Sequence, residues 1–146
     1  MVLDEFKDYV AKLRVARPEY FFTEFWDKVA SPINIEGASN SLSCHFPVEY
    51  LEYVREYGGG DALGVRIYSC DKDSDLHIVK KNANLRGWLP KGLVAFSDNG
   101  CGDYYVFRST KGVCASEVYL YRHEEKSLSG AQAADLFEFI TRSTGD

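Results

Sequence analysis

FSDNGCGDYYVF, residues 96–107, is the stretch whose reading decides the fold. A short apolar run, LVAF (93–96), enters it, and an aromatic run, DYYVF (103–107), leaves it. Between them Gly100 and Gly102 allow positive φ and a change of direction. Asp98, Asn99 and Asp103 can bond to nearby backbone amides and brace the turn. This pattern predicts a hairpin that registers two central antiparallel strands, with little chemistry of its own.

Three chemical readings of the stretch fail on particulars. A phosphate loop needs Lys and Ser or Thr after its last glycine, but Asp103 and Tyr104 follow Gly102. A dinucleotide fingerprint needs a third glycine and a helix, whereas the following run has strand character. Cys101 as a nucleophile would need a base such as His77 or His123, with Asp98 or Asp103 to orient it. Nearby carboxylates raise a thiol pKa and so work against that reading.

Working outward, Leu3, Phe6, Val10 and Leu13 recur at helical spacing and predict an amphipathic first helix. Pro18 suits the first turn of a second helix, with Phe22, Phe25, Trp26 and Val29 as its apolar stripe. SPINIEGASNSLSCH (31–45) reads as a polar, irregular connection. Pro47 opens another helix, PVEYLEYVREY, carrying Tyr50, Leu51, Val54 and Tyr57, and Gly58, Gly59 and Gly60 end it. The period then moves towards two. LGVRIYSC (63–70), LHIV (76–79), GLVAFS (92–97), DYYVF and EVYLYR (117–122) read as strands. SLSGAQAADLFEFITRS (127–143) closes the chain as a helix. Ser129 and Gln132 form its capping box, and Ala133, Leu136, Phe137 and Ile140 its buried stripe. Together these segments predict an α+β domain over residues 1–146, with a mostly antiparallel central sheet packed by N-terminal and C-terminal helices.

Composition narrows the functional classes. The 146 residues are 45% hydrophobic, 27% charged and 14% aromatic, with ten Tyr and nine Phe, as a globular, sheet-containing chain would be. A formal charge of −5 argues against nucleic acid as a partner and in favour of a basic protein. No secretory signal or membrane-spanning run is evident, so the cytoplasm is the expected compartment. Cys44, Cys70, Cys101 and Cys114 form no CxxC pair and read as reduced thiols, mostly buried, with no finger-like metal spacing. Asp71, Asp73 and Asp75 occupy the first, third and fifth positions of a calcium loop. Leu76 stands where its Gly is needed and Asn82 where its Glu is needed, so a solvated acidic turn is the better account. No cofactor and no metal are expected.

Several of these segments together resemble the SUKH superfamily. FPVEYLEYVREYGGG (46–60) resembles its proline-led, glycine-ended helix. LPKGLVAFSDNGCGDYYVF (89–107) resembles its strand, Ser-Asp-x-Gly-x-Gly-Asp turn and second strand, and EVYLYRHEE (117–125) resembles a later strand. The resemblance runs from about residue 20 to residue 142. It implies a non-catalytic α+β binding domain, like fungal cell-wall-synthesis regulators or bacterial immunity proteins that neutralise secreted toxins. Pro47, Gly59, Gly100, Gly102 and Asp103 match fingerprint positions and would be structural. Cys101 departs from the small residue, often Gly, that is usual there. The implied partner is a basic, cognate toxin domain of a kind that includes nucleases. Asp71, Asp73, Asp75 and Asp98 are the candidate acidic contacts. Tyr104, Tyr105, Tyr119 and Tyr121 are candidate aromatic anchors, about half of them expected to be core. A scaffold of the cell-wall-regulator type and a small enzyme centred on Cys101 are the alternatives.

Overall fold

The computed structural model describes residues 1–145. The first helix, α1 (Leu3–Ala16), buries Phe6, Val10 and Leu13. Phe6 is its anchor. Its ring stacks on Phe137 at 4.6 Å between centroids and meets Tyr53 and Tyr57 edge-on at 6.1 and 5.8 Å. Such pairs add to the ~1.5–3 kcal/mol expected for burying one large apolar side chain.

Residues 18–29 do not form the expected helix. Pro18 starts only a 3₁₀ turn, Pro18–Phe21, and a second turn follows at Thr23–Phe25. Phe22 and Trp26 are extended. The backbone bonds that a helix would keep within itself go to distant chain instead. Asp27 N donates to Gly59 O at 2.9 Å, and Ala30 N donates to Val54 O at 2.9 Å. Phe22, Phe25 and Val29 are 72, 67 and 58% exposed, so of the expected stripe only Trp26 packs on the core.

The expected connection at 31–45 is instead largely helix, α2 (Pro32–Leu42). Ser31 caps it by accepting from Asn34 N at 3.2 Å, and Pro32 occupies its first turn. The third helix, α3 (Val48–Tyr57), follows Pro47 as anticipated and buries Tyr50, Tyr53 and Val54. It stops at Gly58, where φ is 85°. A Cβ there would lie 2.1 Å from Asp27 O, so only glycine lets the 18–30 segment lie against this corner.

Strands β1 (Gly60–Ala62) and β2 (Val65–Ile67) make a small hairpin. The run LHIV is not a strand. After a single bridge at His77 the chain enters α4 (Ile78–Asn84), because the polar run KKNAN carries the helix onward. The main sheet contains β3 (Leu93–Asp98), β4 (Tyr104–Thr110), β6 (Tyr119–Arg122) and β7 (Ser127–Leu128) in the order β3-β4-β6-β7, so of the two hairpin strands expected to be central only β4 is, and β3 is an outer strand. The short β5 (Val113–Cys114) also pairs with β4. Every pairing within it is antiparallel, with a bulge between Ala95 and Ser97.

The last helix is α5 (Leu136–Thr144), starting later than the capping-box reading predicts. Asp135 is its N-cap, accepting from Glu138 N at 2.9 Å. Ser129 is committed to the sheet, where its hydroxyl accepts from Leu120 N at 2.9 Å. Ala133 is buried ahead of the helix, while Leu136, Phe137, Phe139 and Ile140 bury its inner face. One sheet face is thus covered by α3 and α5, through Phe107 against Tyr50 and through Phe96 and Tyr105 against Phe139. On the other face Trp88 packs against Tyr104 and Tyr121. Among the described residues no helix is long and apolar enough to cross a membrane.

Candidate functional site

The turn between β3 and β4 is built as its residue types require. Gly100 and Gly102 have φ of 76° and 90°. Asp98 Oδ1 accepts from Gly100 N at 3.0 Å, and Asn99 Oδ1 accepts from Cys101 N at 2.9 Å and from Asp103 N at 3.3 Å. Asn99 N in turn donates to Asp103 O at 3.2 Å. Added Cβ atoms at Gly100 and Gly102 would meet nothing within 4 Å, so backbone conformation rather than crowding selects glycine.

Asp98 is the hub beneath this turn. Its Oδ2 accepts from the Tyr68 hydroxyl, and its Oδ1 stands 3.7 Å from Arg66 Nη1. The Asp98 side chain is only 10% exposed. Arg66 also holds Asp61 through two bonds, at 2.8 and 3.1 Å. Burial and then the Asp98 carboxylate push the Tyr68 phenol well above its ordinary range. Asp98 therefore ties β2 to the end of β3, and its carboxylate is occupied by internal partners rather than presented at the surface. Neither Tyr68 nor Arg66 stands out in the sequence, since both lie about thirty residues before the turn they brace.

Asp103 reaches the other way. Its Oδ1 accepts from His123 N at 3.2 Å, and its Oδ2 accepts from Asn99 Nδ2 at 3.2 Å. The His123 ring packs on Trp88 at 4.3 Å. Tyr104 is half-buried against Trp88 at 5.5 Å, and Tyr105 is half-buried against Phe139 at 4.6 Å. Tyr119 is half-buried with Arg108 over its ring at 5.4 Å, and Tyr121 is buried. The aromatic candidates thus serve mainly as walls of the domain.

Cys101 is exposed at the tip of the turn, while Cys44, Cys70 and Cys114 are buried and free. His77 is buried at the start of α4 and His45 bridges to Val113, so neither belongs to the turn. Cys44 and Cys114 lie beside that bridge, and the neighbouring Cys114 thiol together with burial pushes the Cys44 thiol up.

The acidic loop is separate. Asp71 braces it, accepting from Lys28 N at 3.1 Å and from Asp73 N at 3.0 Å. Asp73 is 86% exposed with Lys28 Nζ at 3.9 Å, and Asp75 is exposed. Among the described residues no group of three or more His, Cys, Asp or Glu side chains is placed to hold a metal ion. This loop presents the Asp73 and Asp75 carboxylates to solvent, a chemistry suited to contact with cationic groups, whereas the carboxylates of the glycine turn are taken up by internal bonds.

The SUKH_6 family model, described as SMI1-KNR4 cell-wall, matches residues 33–140, well over half of the chain. No curated protein matches it.

Proposed function

The chain belongs to the SUKH_6 family, described as SMI1-KNR4 cell-wall, and from that membership we propose that it is an immunity-type binding protein that neutralises a cognate toxin domain by direct, non-catalytic complex formation. The observation that carries this reading is the charge of the surface. The chain is net −5, and Asp73 and Asp75 stand exposed on a loop braced by Asp71. A basic toxin, as nucleases commonly are, would be drawn to such a protein. In this reading the complex forms in the cytoplasm, where the toxin would otherwise act.

The test is to look for a toxin domain encoded by a neighbouring gene and to co-express it with this chain. Restored growth together with a stable 1:1 complex on size exclusion is the expected result. A complex that forms without restoring growth would overturn the neutralising role. A scaffold role is the second reading, favoured by the cell-wall description of the matching family. Altered cell-wall synthesis on deletion, with no protection against any neighbouring toxin, would select it.

A further inference from the structure

We propose that the recess between residues 19–25 and the β1–β2 hairpin is a docking site for an arginine carried on a basic segment of the partner protein. The inference takes the kind of partner, a basic protein, from the binding role proposed above. It adds the place and the chemistry of contact.

The recess has a volume of about 370 Å³. Phe22 and Phe25 line it, and they are the only aromatic residues among the large hydrophobic side chains left exposed in the described residues. Glu19, Glu24 and Asp61 line it too, with Arg66 as the one basic residue in its wall. The Arg66 charge is already shared between Asp61 at 2.8 Å and Asp98 at 3.7 Å. Glu19 and Glu24 are exposed and pair with no cation among the described residues. Arg17 lies over Tyr20 at 5.9 Å but does not line the recess.

The walls are fixed by backbone bonds rather than left as a loose loop. Leu63 N donates to Tyr20 O at 3.1 Å, and Trp26 bridges to Gly60. The Tyr20 ring lies so close to Gly64 that a Cβ there would come within 2.6 Å of it. Two exposed phenyl rings and two free carboxylates on a pre-formed wall match a guanidinium, which stacks on aromatic faces and forks onto carboxylates. A purely apolar occupant would desolvate Glu19 and Glu24 without partners, and an anion would be repelled.

The test is a backbone-amide NMR titration of the full chain with N-acetyl-arginine amide, with N-acetyl-citrulline amide as the neutral isostere. Saturable shifts confined to residues 19–25 and 61–66, with arginine only, are expected. A double variant, Glu19→Gln with Glu24→Gln, should weaken the arginine response about tenfold. These residues are exposed, so the variant retains the wild-type spectrum elsewhere. Equal shifts with citrulline, or arginine shifts located elsewhere, would overturn the proposal. So would self-association that Phe25→Ser abolishes, since a second copy would then be the occupant. A saturable arginine response in a chain that protects against no toxin supports the recess while refuting neutralisation. Undiminished protection and toxin affinity in the double variant would remove the recess and leave neutralisation standing.

Discussion

Asn82 closes the open edge of the sheet on Ala95: its Nδ2 donates to Ala95 O at 2.8 Å, and its Oδ1 accepts from Ala95 N at 2.9 Å. One side-chain amide thus does what a neighbouring strand would do for the outer strand β3. Ala95 is fully buried, so its peptide groups have no access to solvent. Nδ2 also donates to Ile78 O at 2.9 Å, which locks the amide to its own helix.

Asn82→Leu should therefore cost about 2–4 kcal/mol, since it leaves a buried donor and a buried acceptor unpaired. Asn82→Asp should cost a similar amount, because a carboxylate would face Ala95 O. Urea unfolding of both variants checks this, and a loss under about 1 kcal/mol would show that the edge is not held by this clamp. Faster aggregation of either variant would fit an exposed β3 edge.

Gly100 and Gly102 make a second test, because open space surrounds both and only their backbone conformation matters. Gly102→Val, at φ 90°, should destabilise by about 1–3 kcal/mol. Gly102→Asn should cost distinctly less, as Asn tolerates positive φ better than Val. Equal stability of the Val variant and the wild type in denaturant titrations would remove the conformational reason for glycine here.

How much of this was legible in the sequence depends on how local each feature is. The β3–β4 turn was legible because Asp98, Asn99, Gly100 and Asp103 act on one another within six residues. The helix after Pro47 announces both of its ends. The Asp98–Tyr68 bond spans thirty residues and leaves no local sign. Phe22, Phe25 and Val29 imitate a helical period, but the backbone around them bonds to Gly59 and Val54, and no periodicity encodes that choice. The helix at 32–42 hides because only Ile35 and Ala38 are buried, although the Ser31-Pro32 start was a usable signal. The recess was hidden for the related reason that its two phenyl rings read as core.

Burial first, and Lys80 next, hold the His77 imidazole below its ordinary value of 6.5. The unfolded chain then binds this proton more tightly than the folded one. The stability involved is fully present above pH 6.5 and is lost as pH falls through the lowered folded value. The melting temperature should drop between about pH 7.5 and about pH 5, and His77→Gln should flatten that drop. Parallel curves for the two proteins would show that His77 is not responsible.

At the alkaline end the sign reverses. Tyr50, Tyr53 and Tyr68 are all raised above the ordinary value of 10.0, with burial as the first cause. The folded state keeps their protons, so the stability they confer is present below pH 10 and is lost as pH rises beyond it. In an ultraviolet titration these three of the ten tyrosines should ionise only together with unfolding. Tyr68→Phe should remove one of them from that late step. Ionisation of all ten in a folded protein would contradict their burial.

The electrostatic part of the proposed function separates acidic residues that serve the fold from those free to meet a partner. Asp73 and Asp75 are exposed, whereas Asp98 is enclosed by Tyr68, Arg66 and Gly100 N. Asp73→Lys with Asp75→Lys should leave the melting temperature within about 2 °C of wild type, as surface changes usually do. Asp98→Lys should lower it strongly, because it drives a cation against Arg66 and breaks the bond to Tyr68. Against the cognate toxin, the double reversal should slow association severalfold at low salt and change dissociation little, because exposed charges act chiefly on encounter. The same reversal should matter less at physiological salt, where screening has already removed much of the attraction. Stopped-flow kinetics at both ionic strengths measure this. An association rate indifferent to salt and to the reversal would exclude the Asp71–Asp75 loop as the surface that draws the partner in, and it would leave the Phe22–Phe25 recess to be judged by its own titration.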